Sequence, residues 1–275
     1  MATLSIKDSA GDTKYLNVVG EGTPSEPYQS VVPSYGVAHA INQIFQDDAV
    51  TVSVAEKGKS LIKFGVNSAI QSGVSETVWM VGGNETYPTG NDIDIVTSTS
   101  GSDTQDVVIE GHTLSGSDLT FVTQTATLNG TSDVTLTTPL YRANRMYNNN
   151  SADFVGTVTV EDNGTSVHLQ AATGNQSLKC ATSTSSVDYW IITGIEGSVE
   201  RSTSAVVDFE LQVREYGKVF RTRFFFTSDQ SGRYIPLSDT PIIVKPNSDI
   251  RMIATSNTNS TEVSASIIGY LAIIT

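Results

Sequence analysis

The sequence predicts an all-β protein: an antiparallel β-sandwich or jelly-roll-like body with an extended N-terminal arm and one short helix. Three observations support this prediction. From about residue 73 the chain runs in short β-branched or aromatic segments separated by Gly, Asn, Asp and Ser. Only one stretch of the chain has a helical period. Charged residues make up 16% of the chain, so hydroxyls and amides supply most polar positions, which is typical of large β-proteins.

Residues 1–72 are predicted to form an attachment region. Residues 20–33 are rich in Gly, Pro and Ser, a composition that favours an extended arm. Residues 34–48 have the helical period, and Ser34 can cap this helix of about three turns. Its apolar stripe consists of Val37, Ile41, Ile44 and Phe45. A helix this short needs a partner, so the stripe is the candidate partner-binding site, although it can also pack on the β-domain of its own chain.

A hairpin is predicted at residues 50–64, where Val alternates with Thr and Ser before a Gly-containing turn. Residues 73–275 are predicted to form the β-sandwich or jelly-roll body, and a division into two sub-domains near residue 187 stays open. The strand patterns in the last third of the chain predict an antiparallel sheet. Trp79 and Trp190 lie inside apolar strand patterns and are predicted to be core residues.

Charge and cysteine content exclude several function classes. Sixteen Lys and Arg against 29 Asp and Glu give a net charge of −13, which repels nucleic acid and anionic membranes. The apolar runs are too short for a membrane span, and the N-terminus lacks the pattern of a secretory signal, so synthesis in a cytoplasm is expected. Cys180 is the single cysteine, which excludes an intrachain disulfide and a cysteine-based zinc site.

No motif in the sequence predicts an enzyme, a cofactor or a metal site. A phosphate-binding loop ending at residues 57–60 would need Gly at position 53, where Ser stands. No G-x-S-x-G motif accompanies His39, His112 or His168, and no carboxylate pair is singled out for glycoside hydrolysis. Residues 91–94 place two Asp on one side of a strand. That alternation fits a shallow calcium site, but a solvated turn is the favoured interpretation.

Several strand and turn segments resemble those of virion structural proteins from tailed bacteriophages. The resemblance covers about residues 74–272 and is strongest in six strings. These strings are TPLYRANRMYN (138–148), DYWIITG (188–194), LQVR (211–214), KVFRT (218–222), PNSDIR (246–251) and VSASIIGYLA (263–272). Within that class, the arm followed by a β-domain looks most like a head decoration or cement protein.

The resemblance implies a non-enzymatic virion protein on the capsid surface, made in the host cytoplasm. Its partner would be the major capsid protein, whose neighbouring subunits it would tie together. A homo-oligomer is expected, and a trimer fits the threefold docking points of a shell. The alternative is a carbohydrate-binding or receptor-binding β-module of a phage tail or fibre. No individual functional residue is transferred by the resemblance.

Overall fold

The computed structural model divides the chain into two compact units, Met1–Ala49 and Val50–Thr275. It describes the backbone of residues 2–7, 13–19 and 29–30, and it describes residues 59–273 except 173, 201–204 and 230–231. All regular secondary structure in these residues is β-strand, and all pairings between the strands are antiparallel. The all-β antiparallel class predicted from the sequence is therefore confirmed for the described part of the chain.

Three strands of the N-terminal unit form one sheet. They are β1 (Ala2–Lys7), β2 (Thr13–Val19) and β3 (Gln29–Ser30), in the order β1-β2-β3. The predicted arm at residues 20–33 is described only at β3, which pairs with β2 rather than standing alone. The predicted helix at residues 34–48, with its stripe of Val37, Ile41, Ile44 and Phe45, lies outside the described residues. So does the first strand of the predicted hairpin.

The larger unit is built from strands β4 to β20 and contains two hydrophobic cores. In chain order the strands are β4 (Lys59–Ile70), β5 (Ser75–Thr77), β6 (Ile93–Ser98), β7 (Asp106–Ser115), β8 (Asp118–Thr127), β9 (Val134–Leu140), β10 (Arg142–Asn148), β11 (Val158–Asp162), β12 (Ser166–Ala171), β13 (Ala181–Ser183), β14 (Asp188–Glu200), β15 (Val206–Glu215), β16 (Arg221–Asp229), β17 (Arg233–Pro236), β18 (Ile242–Val244), β19 (Ser248–Ser256) and β20 (Thr261–Ile273).

The first core lies between two sheets in a sandwich-like arrangement. One sheet has the order β17-β14-β20-β4, with β18 also paired to β14, and the other has the order β13-β19-β15-β16, with β5 paired to β19. Residues at every second position, such as Val263, Ala265 and Ile267 of β20, face the core. Trp190 is fully buried there, and Trp79 is also buried, as predicted. The strand order does not confirm a jelly roll.

The strands predicted in the last third of the chain are present, but they do not form one sheet. Strands β14, β18 and β20 belong to one layer of the first core, and β15, β16 and β19 belong to the other. The inward face of each layer is apolar, and stacking the layers buries both inward faces at once. The alternation within each strand predicts a buried face, but it does not specify the sheet to which that strand belongs.

The second core is inserted in the chain between β5 and β13. Its sheets have the orders β12-β11-β6-β9 and β10-β7-β8, and their inward residues form one cluster between residues 93 and 171. The segments 78–92 and 172–180 connect it to the first core. Strand β4 lies N-terminal to the boundary predicted at residue 72, and it pairs with β20 along most of its length.

Candidate functional site

Five charged side chains are buried where the two cores meet, and we call this cluster the inter-core junction. It consists of Lys63, Glu85, Arg142, Lys179 and Asp249. Strands β4 and β19 of the first core supply the first and last of these residues, and β10 of the second core supplies the arginine. Glu85 and Lys179 lie on the two connecting segments. The junction therefore includes residues of both cores and of both connecting segments.

Asp249 is the shared acceptor of the junction. Arg142 donates to both of its carboxylate oxygens, from Nε at 3.0 Å and from Nη2 at 3.2 Å. Arg214 Nε donates to Oδ2 at 2.8 Å, and Ser183 Oγ donates to Oδ1 at 2.7 Å. Burial alone would raise the pKa of Asp249, but the charges of Arg142 and Arg214 outweigh burial and hold that pKa below its usual range. The carboxylate is therefore charged at neutral pH and fully hydrogen-bonded.

Aromatic rings alternate with the arginines around this carboxylate. The guanidinium of Arg142 lies 3.7 Å from the ring centroid of Tyr141 and 5.0 Å from that of Tyr87. Arg214 lies between Tyr87 and Phe220, at 4.1 and 4.4 Å from their ring centroids. Stacked rings attract guanidinium groups and exclude water from them. This arginine–aromatic stack therefore keeps the charges of the junction in one geometry.

The two lysines of the junction bind backbone of the second core. Lys179 Nζ lies 2.5 Å from Glu85 Oε1 and donates to the carbonyl oxygen of Ala143 at 2.9 Å. Lys63 Nζ donates to the carbonyl oxygen of Asn144 at 2.7 Å. Burial, together with the nearby charge of Lys179, lowers the pKa of Lys63 to about 8. Two strands of separate cores are thus joined through charged side chains.

Neutral groups complete the contact between the cores. Asn247 Oδ1 accepts from the backbone N–H of Leu119 at 2.9 Å, and Leu119 O accepts from the N–H of Ser186 at 2.8 Å. Burying charged and polar groups is unfavourable unless they are paired in a defined geometry, so such a network specifies one arrangement of the cores. The junction therefore links the two cores through paired charges and through neutral hydrogen bonds.

The residues predicted as a solvated turn line a polar cleft of the second core. Asn91, Asp92 and Asp94 face residues 162–165 across it. Its carboxylates already accept from backbone: Asp94 Oδ1 from the N–H of Asn163 at 3.0 Å, and Asp92 Oδ2 from that of Gly90 at 3.1 Å. Among the described residues, no group of three or more His, Cys, Asp and Glu is placed to hold a metal ion.

Two histidines are described, and both are buried. Burial lowers the pKa of His112 to about 4, and Asn144 Nδ2 donates to its Nδ1 at 3.0 Å. Burial also lowers the pKa of His168, whose Nε2 lies 3.5 Å from Asp162 Oδ2. Both rings are therefore neutral at pH 7. His39 lies outside the described residues.

The four predicted partner-binding residues are not placed by the structure, and the junction was not predicted from the sequence. A signal for the junction does exist, because Arg142 and Asp249 are charged residues inside strand patterns that also contain apolar residues. Those two residues are 107 positions apart in the chain, so the sequence did not indicate that they pair.

Comparison of the chain with protein-family models, curated protein sequences and solved structures finds no match to any of them. In the part of the chain that the structure describes, no helix has the length and hydropathy needed to cross a membrane.

Proposed function

We propose that this chain is a non-enzymatic structural protein of a tailed-bacteriophage virion, a head decoration or cement protein that binds neighbouring major capsid subunits. One observation carries the proposal. Three of the strings that resemble phage virion proteins meet in the inter-core junction and its arginine–aromatic stack: residues 138–148 supply Arg142, residues 211–214 supply Arg214, and residues 246–251 supply Asp249.

The resemblance rests on strand and turn patterns, and these three strings also share one place in the fold. Phe220, from a fourth such string, stacks on Arg214 and Arg251. The strings therefore include the residues that hold the two cores in one arrangement. A stiff two-core body suits a protein that ties subunits of a shell together.

Attachment to the shell is assigned in this proposal to residues 1–72, and to the stripe of Val37, Ile41, Ile44 and Phe45 in particular. The body would face solvent. Several copies acting together would multiply a weak individual contact, so the proposal includes a homo-oligomer. The location that follows is the surface of the virion head.

The test begins with purified virions of the phage that encodes the chain. Mass spectrometry of the particle and immunogold labelling against the β-body should find many copies over the head. Virions without the chain would overturn the proposal. Label confined to the tail or fibres, together with binding on a glycan array, would favour the carbohydrate- or receptor-binding module.

A matched pair of variants tests the attachment residues. Ile41→Glu with Phe45→Glu places two charges on the predicted stripe, and His39→Glu with Gln43→Glu places two charges on the polar side of the same predicted helix. Particles that lack the chain should bind the wild type and the second variant but not the first. Equal binding by both variants would contradict the assignment of the stripe.

A further inference from the structure

The sheet β17-β14-β20-β4 has an exposed apolar side facing away from the first core. We call it the outer apolar face and define it by Ile62, Phe64, Tyr234, Ile268 and Tyr270. Ile62 is 60% exposed, Tyr234 55%, Phe64 42% and Tyr270 36%. The alternate residues of the same strands, such as Val263, Ala265 and Ile267, face the core. The sheet is therefore apolar on both sides.

The strand register shows that this face is continuous. Ile62 of β4 lies opposite Ile268 of β20, and Phe64 lies opposite Ser266. Ile268 in turn lies opposite Gly194 of β14, and the ring of Tyr234 of β17 lies over that glycine. The apolar contact thus crosses the four strands through Ile62, Ile268 and Tyr234, while Ser266 and Glu196 lie beside it. Single exposed apolar residues are ordinary on a protein surface, but a contiguous patch of this kind marks an interaction site.

Gly194 makes room on this face for the ring of Tyr234. A Cβ at this glycine would lie 2.8 Å from Tyr234 Oη, so the tyrosine ring occupies the space directly above the strand. Ile191, between the core residues Trp190 and Ile192, points to the outer side but is fully buried. Ile191 is therefore not part of the surface that a partner can contact.

The charges exposed on this side are acidic. Glu200 and Glu262 lie opposite each other at one end of the face, and Glu196 lies beside Tyr234. Like charges directly across a strand pair repel each other. If a second copy stacked with its acidic end over this acidic end, the two ends would repel each other. If its strands ran in the reverse direction, the two acidic ends would lie at opposite ends of the contact.

We propose that the outer apolar face is the interface between two copies of this chain, packed sheet on sheet about a twofold axis that crosses the strands near Ile268. This axis places the two acidic ends roughly 40 Å apart and the two Glu196 side chains roughly 13 Å apart. The separation of the acidic ends exceeds the Debye length of about 8 Å at physiological salt, so these exposed charges are largely screened from each other. The reversed stacking thus avoids the direct repulsion between the two acidic ends.

The area available also fits a stable dimer. Strands β4, β14 and β20 have 12, 13 and 13 residues, and β17 has four. At about 4.8 Å between strands and roughly 3.3 Å per residue, they cover on the order of 600 Å² on each copy. Standard interfaces bury about 600–1,000 Å² on each partner, so this sheet reaches the lower end of that range. The proposed dimer contact does not depend on the proposed role in a virion.

The test measures the mass of the full chain in solution by light scattering at tens of micromolar. The wild type is expected at twice the chain mass of 29.3 kDa, and Ile62→Glu is expected at 29.3 kDa. The matched control is Val155→Glu, an exposed apolar residue of the second core with 65% exposure, which should remain a dimer. A monomeric wild type overturns the proposal, as does a dimer or trimer whose mass Ile62→Glu leaves unchanged.

A second measurement covers the case in which Ile62→Glu does not fold. Ile62→Cys places a thiol near the proposed axis, and a short bismaleimide should link two copies through it. Val155→Cys should not link, and Cys180 is buried and does not compete. Linking at position 155 but not at position 62 would overturn the proposal. A monomeric wild type whose binding to phage particles is lost in Ile62→Glu would assign the face to a different protein.

Discussion

Asp249 shows how much of this fold depends on one carboxylate. Two arginines and a serine donate to it, and it is buried where residues of both cores meet. The attraction between these charges only offsets the loss of their hydration. Removing one partner leaves an uncompensated buried charge, which costs more than the intact pair contributes.

We expect Asp249→Asn to destabilise the protein by about 3–5 kcal/mol, because Arg142 and Arg214 then face a neutral amide in a buried site. Urea unfolding measures this change. The control is Lys245→Ala, which removes an exposed pair with Glu215 at 3.5 Å and should cost less than about 1 kcal/mol. Equal losses for the two variants would contradict the role assigned to the junction.

A second residue-scale prediction concerns pH. The pKa of His112 is about 4 in the folded chain against an ordinary value of 6.5, so between these values only the unfolded chain takes up the proton. Stability is therefore complete above pH 6.5 and decreases as the pH falls towards 4. At pH 5 the loss from this group is about 2 kcal/mol.

His112→Gln should remove that part of the pH dependence. The expected result is that the variant loses about 2 kcal/mol less than the wild type between pH 7 and pH 5, measured by urea unfolding at both values. His168 also has a lowered pKa and remains in both proteins, so some acid sensitivity should persist. An unchanged difference between the two pH values would show that His112 is not buried as described.

At the scale of single elements, close backbone contacts hold β4 in place. Gly65 lies where a Cβ would collide with the carbonyl oxygen of Val78 and the backbone nitrogen of Cys180. The N–H of Cys180 also donates to the carbonyl oxygen of Val78 at 2.9 Å. Three segments of backbone therefore meet with no side chain between them, and only glycine permits this approach.

Gly65→Ala should lower stability by at least about 2 kcal/mol, because the added methyl group has only rigid backbone around it. Thermal unfolding followed by circular dichroism is the measurement. Gly101→Ala is the matched control, since a Cβ at Gly101 meets nothing within 4 Å. A melting temperature that falls equally in both variants would contradict the close approach described for β4.

At the scale of the whole molecule, the unit Val50–Thr275 contains both hydrophobic cores and every residue of the inter-core junction. We therefore expect this unit to fold without the first 49 residues. In the proposed function, attachment depends instead on the stripe of Val37, Ile41, Ile44 and Phe45, which precedes this unit. Removing the first residues should therefore leave the stability of the body unchanged and abolish its binding to phage particles.

A chain that begins at Ala49 should unfold cooperatively in urea, with the midpoint of the full chain, and should no longer sediment with phage particles. The full chain is the control in both measurements. Loss of cooperative unfolding would mean that the body needs the N-terminal unit. Sedimentation equal to that of the full chain would place the attachment surface on the β-body.

The β class was predictable because its signals are local. Alternation with period two and turn residues every few positions act within single strands, so β14 and β15 lie close to where their patterns predict them, and Trp190 is buried as its surroundings indicate. The predicted partner-binding stripe stays a prediction, since it lies outside the described residues.

The sequence by itself indicated the β class and, in segments such as β14 and β15, a strand with a buried face. Only the tertiary structure decided that these strands divide between two cores, and that Arg142 meets Asp249 across 107 positions of chain. The outer apolar face likewise depends on the register between Ile62 and Ile268. The physical reason is that strand formation follows from the pattern of one segment. The pairing of sheets and of buried charges depends instead on which distant segments bury their surfaces together.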